Sequence, residues 1–146
     1  MLHLKRTRAF LVVAAAVLAA GCEDLTGRLG GSDHQVVVTG SGLVLAAAPV
    51  TGVVTGSVNV SAGAQRTIVV TVLDRGNTPV TLGANDQIRV IILDTTIASF
   101  QATGQASGAV TGTLRGLRSG GTRMQVQLLR NGTSEYDSPS IPIDVS

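Results

Sequence analysis

Cysteine and histidine are almost absent from this sequence of 146 residues. It has one cysteine, Cys22, and two histidines, His3 and His34. One cysteine excludes a disulfide within the chain, and the three residues together are too few for a conventional zinc finger. A hydrolase triad would need His34 as its base, and no G-x-S-x-G nucleophile motif accompanies it. We therefore expect a protein that is not an enzyme and has no cofactor or metal centre.

Aromatic and charged residues are also scarce, at 2% and 14% of the chain, and tryptophan is absent. Valine, threonine, alanine and glycine take their place, with 18 glycines in all. A helical bundle would be richer in Leu, Glu and Lys, and a disordered chain would have more charge and fewer β-branched residues. The composition therefore indicates a β protein.

The net charge of +2 depends on the first ten residues, which include Lys5, Arg6 and Arg8. From Cys22 onward the chain has eight Arg and no Lys against nine Asp or Glu, which is a balance of −1. A slightly acidic chain gives no support for nucleic-acid binding.

The first 22 residues have the organisation of a secretory signal. A basic start that ends at Arg8 precedes the apolar run Ala9–Ala20, and small residues follow it up to Cys22. The run is shorter than the roughly 20 apolar residues that a transmembrane helix needs. A buried N-terminal helix is the alternative, but no later segment looks like a partner helix. The pattern predicts export and removal of the leader.

Leu18-Ala19-Ala20-Gly21-Cys22 resembles the lipobox of bacterial lipoproteins, although the leucine that usually stands three places before the cysteine is here one place earlier. The resemblance implies cleavage after Gly21 and diacylation of Cys22. Several acyl chains hold a protein on a bilayer more firmly than one chain does. We expect a protein anchored to the bacterial cell membrane through Cys22, with the outer membrane favoured and the domain facing the periplasm or the exterior.

Residues 22–33 are polar and glycine-rich without periodicity, and they are predicted to form a flexible tether before a domain at residues 34–146. In the domain, apolar and polar residues alternate in segments separated by Gly, Asn, Asp and Pro, which is typical of half-buried antiparallel strands. The predicted strands are Gln35–Thr39, Leu43–Ala47, Val53–Val60, Thr67–Leu73, Gln87–Leu93, Ile97–Ala102, Ala109–Leu114, Thr122–Leu129 and Ser140–Val145.

Turn residues support these divisions. Asn131-Gly132 predicts a hairpin, because both central residues of a type I′ turn need positive φ. Pro139 and Pro142 place the last strand at or near a sheet edge, since proline cannot donate to a ladder. Leu43–Ala48 is the only helix-like fragment. Short strands separated by such turns predict a sandwich or a barrel.

Three segments resemble turns of bacterial immunoglobulin-like domains of group 2: Val60–Gln65, Asp94–Phe100 and Gly116–Thr122. The resemblance spans about Val53 to Val145 and implies an all-β, immunoglobulin-like antiparallel β-sandwich. Tryptophan often precedes the second segment in that family, whereas this chain has Ile91-Ile92-Leu93, and residues 35–52 lie outside the pattern as an added hairpin. Such turns mark a fold and not an activity.

The sequence offers residues for two kinds of small-ligand site. Paired loop residues could offer oxygens to calcium, although such residues usually satisfy turns and solvent; the pairs are Asp74 with Asn77, Asn85 with Asp86, and Glu135 with Asp137. Sugars usually stack on aromatic rings, and after the leader only Phe100 and Tyr136 are aromatic. We expect Phe100 to be buried, whereas Tyr136 could be exposed or cap the core edge.

Between Asp94 and Glu135 the sequence has four arginines and no acidic residue. Arg115, Arg118 and Arg123 bracket the Gly116–Gly121 corner, so we expect them to gather at one end of the sandwich. Arginine binds phosphates and carboxylates bidentately, and the patch would therefore favour an anionic envelope polysaccharide. The alternative is that these arginines only keep the surface soluble.

The sequence thus predicts a membrane-anchored envelope lipoprotein whose immunoglobulin-like domain mediates non-catalytic binding or adhesion. Its partners would be the lipid membrane, through acylated Cys22, and a protein or an anionic polysaccharide of the envelope or cell surface. A carbohydrate-binding module and an accessory subunit of an envelope assembly are the alternatives, and the scarcity of aromatic residues disfavours the first.

Overall fold

The computed structural model describes residues 33–146, and within this range the chain forms eleven β-strands and no helix. The strands are β1 (Gln35–Gly40), β2 (Leu43–Ala48), β3 (Thr55–Gly56), β4 (Val58–Val60), β5 (Gln65–Leu73), β6 (Gln87–Ile92), β7 (Ala98–Ala106), β8 (Ala109–Gly116), β9 (Gly120–Arg130), β10 (Thr133–Asp137) and β11 (Ile141–Val145). Burial alternates along them. In β5, for example, Ile68, Val70 and Val72 are buried and the residues between them are more exposed. The β-branched side chains of such a strand pack well on a pleated, half-buried surface.

The first sheet has six strands in the order β3-β2-β1-β5-β8-β7, and all its neighbouring pairs are antiparallel. β1 and β2 form a hairpin that is added beside β5. This hairpin corresponds to the segment that lies outside the immunoglobulin-like sequence pattern.

The second sheet is built around β9, which pairs with β6 on one side and with β10 and then β11 on the other. Ser138 continues the ladder between β10 and β11. The N–H of Val126 donates to the Ser138 hydroxyl at 2.9 Å, and the N–H of Ser138 donates to the Val126 carbonyl at 2.8 Å. β4 pairs in parallel with β11, so the proline-containing last strand lies next to the sheet edge.

The inward side chains of the two sheets form one hydrophobic core. Its largest fully buried members are Ile68, Leu114, Met124, Leu128, Ile141 and Ile143. Removing apolar surface from water stabilises a fold by about 25 cal/mol for each Å². The domain is therefore an all-β, immunoglobulin-like sandwich of two largely antiparallel sheets, which confirms the predicted fold class.

Three hairpins close through two-residue turns in which both residues have positive φ, as type I′ turns require. Asn131-Gly132 has φ values of 49° and 82°, which confirms the predicted turn. Ser41-Gly42 and Ser107-Gly108 have the same geometry, with φ values of 51° and 77° and of 45° and 72°. Serine tolerates positive φ less well than asparagine, so these two turns are less conspicuous in the sequence.

The side chain of Gln105 in β7 covers part of the outer edge of β6. Its Oε1 atom accepts from the N–H of Ile88 at 2.8 Å, and its Nε2 atom donates to the carbonyl of Asp86 at 3.3 Å. An unpaired strand edge is a template for association with other chains. Gln105 therefore satisfies backbone groups at this edge and links the two sheets where they do not pair directly.

Two sequence predictions about strands need correction. Val53–Val60 is not one strand, because Val53 and Val54 precede β3 and Ser57 separates β3 from β4. The predicted strand Leu43–Ala47 is confirmed as β2, in which pairing with β1 and β3 outweighs the helix preference of the alanines. β10 was not among the predicted strands, because Thr133–Asp137 has only one apolar side chain, Tyr136.

The strand registers define two ends of the sandwich. The chain enters at Gln35, whose register partner is Leu73 at the end of β5. We call this the entry end, and it has the β2–β3, β5–β6, β7–β8 and β9–β10 connections. The opposite, far end has the β1–β2, β4–β5, β6–β7 and β8–β9 connections and the end of β11.

Candidate binding site

The three arginines of the predicted patch lie at the far end, but they leave the sandwich in different directions. Arg115 is exposed between the buried residues Leu114 and Gly116 of β8, so it points outward from the first sheet. Arg123 is exposed between Thr122 and Met124 of β9 and points outward from the second sheet. Arg118 is exposed in the β8–β9 connection between them. Arg115 and Arg123 therefore point outward from opposite sheets, and the three arginines do not share one face.

Asp94 is the acidic group associated with this corner. Hydrogen bonds from the Thr96 hydroxyl at 2.6 Å and the Thr96 N–H at 2.9 Å lower the pKa of the Asp94 carboxyl, and the charge of Arg118 adds to the effect. The N–H of Asp94 in turn donates to the buried Thr122 hydroxyl at 3.0 Å. Asp94 thus fixes the turn beside the arginines and partly offsets the charge of Arg118.

All the salt bridges within residues 33–146 lie in the half of the domain next to the entry end. Arg75 pairs with Asp33, and Arg130 pairs with both Asp86 and Glu135. Arg130 also donates to the Thr81 carbonyl at 2.8 Å. The basic groups in this half are therefore largely matched by carboxylates.

The far half has the opposite balance. It has four arginines, and none of them forms a salt bridge with another described residue. They are Arg66, Arg115, Arg118 and Arg123. Its acidic residues are Asp94 and Asp144, whereas the entry half has three arginines and five acidic residues. The charge of the described domain is therefore divided along its length, with a basic far half and an acidic entry half.

The Asp86 carboxylate gives a test of the entry-end ion pairs. A hydrogen bond from the Gly83 N–H at 2.7 Å, followed by the contact with Arg130, lowers the pKa of the Asp86 carboxyl below its ordinary value of 3.8. A lowered pKa in the folded state stabilises the fold above the ordinary value, and this stabilisation is lost as the pH falls further. We expect Asp86→Asn to reduce the difference in unfolding free energy between neutral pH and about pH 3.

The measurement is denaturant unfolding at both pH values. Asp144→Asn is the matched control, because Asp144 is exposed and forms no salt bridge with another described residue. An equal fall in stability in Asp86→Asn and in the parent protein would contradict this role of Asp86.

A polar groove lies at the far end, where β1 ends and β5 begins. It has a volume of 460 Å³, and its lining includes Thr39, Gly40, Ser41, Gln65, Arg66 and Thr67. Arg66 is not among the residues that the sequence predicts to bind a partner. A signal was available, because Arg66 occupies an inward register position that Ile68, Val70 and Val72 continue along β5.

The aromatic residues do not line this groove. Tyr136 is buried, with 3% of its surface exposed, and its ring centroid lies 5.5 Å from that of His34 at the entry end. Phe100 is half-buried and packs against the position of Gly112, where an added Cβ would lie 2.3 Å from its ring. The possibility that Tyr136 is an exposed stacking platform is therefore wrong.

The loop carboxylates considered for calcium accept hydrogen bonds from their own surroundings. Asp74 accepts from the N–H groups of Gly76 and Thr78 at 2.8 and 2.9 Å, and Asp137 accepts from the Gln127 amide at 2.6 Å. Within the described part of the chain, no three His, Cys, Asp or Glu residues are placed to hold a metal ion.

Cys22, the predicted lipidation site, lies outside the described residues, as do the predicted leader and most of the predicted tether. Over residues 33–146, the structure contains no helix that is both long and apolar enough to cross a membrane.

Comparisons with known proteins show only distant likeness. No family model matches the sequence, and no curated protein matches it. Domains 5–6 of the S-layer protein SbsC are 21% identical with a TM-score of 0.49, over 63% of this chain and 40% of that one. The Yersinia pseudotuberculosis adhesin InvE is 19% identical with a TM-score of 0.44, over 82% of this chain and 28% of that one.

The Escherichia coli adhesin FdeC is 16% identical with a TM-score of 0.44, over 79% of this chain and 31% of that one. The chain thus matches less than half the length of each of these three structures. At such values of identity and TM-score, the likeness does not by itself assign a function.

Proposed function

We propose that the protein is an envelope lipoprotein, anchored through acylated Cys22, whose immunoglobulin-like domain binds an anionic macromolecule of the envelope or cell surface without catalysis. The far end of the sandwich is the binding end. The single observation that supports this most directly is the division of charge within residues 33–146, where the far-end arginines form no salt bridge with another described residue and the salt bridges lie at the other end.

The position of the chain entry supports the direction of binding. The described chain begins at Asp33 and enters β1 at Gln35, and 12 residues of sequence separate Cys22 from Gln35. A lipid on Cys22 would therefore connect to the acidic entry end. The basic far end would then be the end of the domain that has no connection to the tether.

Electrostatics give the reason for an anionic partner. An arginine whose charge is already neutralised by an ion pair attracts an anionic ligand only weakly. An arginine without an ion pair can bind a carboxylate or a phosphate bidentately. Arg115 and Arg123 point outward from opposite sheets at the far end and Arg118 lies in the connection between them, so a flexible polymer could contact several of them at once. Each exposed contact would be weak, and several together would give useful affinity.

The test is binding of the full-length protein, purified in a non-ionic detergent, to an anionic envelope polysaccharide over a sodium chloride series. We expect affinity to fall as salt rises, because the screening length shrinks from about 10 Å at 0.1 M to about 3 Å at 1 M. Replacing Arg115, Arg118 and Arg123 by Gln should lower affinity at least about tenfold, which is the loss of about 1.4 kcal/mol.

The control is the double variant Arg75→Gln and Arg89→Gln, which also lowers the net charge but leaves the far end intact. Arg75 forms an exposed salt bridge and Arg89 is exposed on β6, so neither change should unfold the domain. Equal losses in the control and the triple variant, or no binding by the parent protein at low salt, would reject the proposed binding end.

A protein partner is a second candidate, and exposed aliphatic residues at the far end favour it. Leu43, Val44, Leu93 and Leu117 expose between 42% and 68% of their surface. Exposed apolar groups beside arginines are common features of protein interfaces. Under this alternative, Leu93→Ser and Leu117→Ser should reduce co-purification of an envelope protein and leave polysaccharide binding unchanged.

A further inference from the structure

We infer that the polar groove at the far end is a binding site for an acidic sugar unit, in which Arg66 contacts the sugar's carboxylate or phosphate. This inference deepens the proposed function, since it names the chemical unit that an anionic polysaccharide would insert. It also assigns a role to a residue outside the Arg115, Arg118 and Arg123 group.

One side of the Arg66 guanidinium is held in place by a hydrogen bond. Its Nη1 atom donates to the carbonyl of Asn59 in β4 at 2.9 Å, which links the first sheet to the second. The guanidinium lies over Gly40, where an added Cβ would be 3.2 Å from Nε and 3.5 Å from Nη2. The absence of a side chain at Gly40 therefore makes room for the guanidinium.

This arrangement leaves donors for a ligand. A guanidinium has five N–H donors, and the described residues give Arg66 one acceptor, the Asn59 carbonyl, and no carboxylate. Because the planar group is already oriented, a carboxylate or phosphate would bind with less loss of side-chain freedom than on a mobile surface arginine.

The rest of the groove suits the hydroxyl groups of a sugar. Ser41 in the β1–β2 turn supplies a hydroxyl group, and Thr39, Gln65 and Thr67 line the groove from outward positions of β1 and β5, opposite to the inward position of Arg66. A ligand that contacts both sets would lie across the end of these strands, where hydroxyl and amide groups can both donate and accept. None of the lining residues is acidic, so an anion meets no like charge within the groove. The volume of 460 Å³ lies within the range of about 300–1,000 Å³ that is usual for small-ligand sites.

The lack of an aromatic ring in the groove favours an acidic sugar over a neutral one. Phe100 and Tyr136 are the aromatic residues of the described chain, and neither lines it. Without a ring on which to stack, a neutral sugar would depend on hydrogen bonds between uncharged groups, whose net contribution is small. A charge-assisted bond to Arg66 is roughly twice as strong.

The groove is also close to one member of the arginine group. Gln65 is the register partner of Arg115 on β8. Directly paired residues of antiparallel strands have Cβ atoms about 4.5–5.5 Å apart. A polymer with one acidic unit in the groove would therefore place its next unit near Arg115.

The experiment is calorimetric titration of the full-length protein, in non-ionic detergent at low salt, with a galacturonate trisaccharide and with its methyl ester. The ester has the same shape without the charge. We expect the acid to bind and the ester to bind at least about tenfold more weakly, a difference of about 1.4 kcal/mol. Galactose 6-phosphate is titrated in parallel, so that the two arms distinguish a carboxylate from a phosphate as the preferred anion.

Four variants test the assignment. Arg66→Gln should lower affinity for the acid at least about tenfold, and Arg66→Lys should restore only part of it because lysine lacks the fork. Thr39→Val with Thr67→Val removes two lining hydroxyl groups while keeping the β-branched shape, and should weaken binding even if Arg66→Gln proves unstable. Arg89→Gln, with the same loss of charge on the other sheet, should bind as the parent does.

The results separate this inference from the proposed function. If the triple variant at Arg115, Arg118 and Arg123 loses polysaccharide binding while Arg66→Gln and the threonine variant keep full affinity for the acid, the groove assignment is wrong and the proposed function stands. Loss of trisaccharide binding in the groove variants alone would support the groove. Absence of trisaccharide and sugar-phosphate binding by the parent protein would overturn it.

Discussion

Val126→Asp is expected to unfold the domain. Val126 lies in β9, the centre of the second sheet, and none of its surface is exposed. An aspartate there would place a carboxylate in the apolar core with no basic partner, or would have to be protonated at a cost in free energy. Either route costs several kcal/mol, and a domain is stable by only about 5–15 kcal/mol.

Circular dichroism and thermal unfolding of the variant measure this effect. Arg123→Gln is the control from the same strand, because it is three residues away and its side chain is exposed on the outer face. We expect that change to alter the unfolding free energy by no more than about 0.5 kcal/mol. If both variants were tolerated equally, the assignment of the inner and outer faces of β9 would be wrong.

The faces of the strands could be predicted from the sequence because burial in a two-sheet fold repeats every second residue. Met124, Val126 and Leu128 alternate with polar residues, and the structure buries all three. The same reasoning identified β5, β6 and β11 within two residues of their observed bounds. Long alternating segments retain this signal even when their ends shift.

Short strands were harder to predict, because their position depends on tertiary pairing. β3 and β4 have only two and three residues, and each is defined by its partner strand, β2 and β11 respectively. β10 has one buried side chain, Tyr136, and continues the second sheet beside β9. No pattern within such short segments distinguishes them from loops.

The sequence predicts which end of the sandwich has the arginines, but it does not predict the directions in which their side chains point. The sequence places Arg115 and Arg123 on either side of one turn, and that is enough to bring them to the same end of the sandwich. The direction of each side chain depends on the sheet to which its strand belongs and on the register of that strand. Since β8 belongs to the first sheet and β9 to the second, outward positions on the two strands point in opposite directions.

Arg66 illustrates a different limit. An arginine at an inward position of an alternating strand conflicts with the apolar pattern, and the sequence gives no sign of what resolves the conflict. In the structure, the Asn59 carbonyl from the other sheet and the open space at Gly40 do so. Neither feature follows from the pattern of residues along β5, although Asn59 is only seven residues before Arg66 in the sequence.

The remaining prediction with a large effect concerns the leader. We expect Cys22→Ser to abolish incorporation of labelled palmitate and to leave the uncleaved precursor. The resemblance to bacterial lipoproteins implies that the Cys22 sulfur forms a thioether, and a thiolate is a far better nucleophile than a serine hydroxyl at neutral pH. The measurements are autoradiography of labelled cells and the mass of the purified protein, since the precursor retains residues 1–21.

Ala19→Leu provides the matched leader control. It places leucine three positions before Cys22, where the lipoprotein pattern usually has it, and leaves the thiol unchanged. Labelling and cleavage should therefore be retained or increased in this variant. If the Cys22→Ser protein were labelled with palmitate at the parent level, the lipid would be attached to a residue other than cysteine, because Cys22 is the one cysteine of the sequence. Anchoring through Cys22 would then be wrong, whereas binding at the far end of the domain would still be decided by the arginine variants.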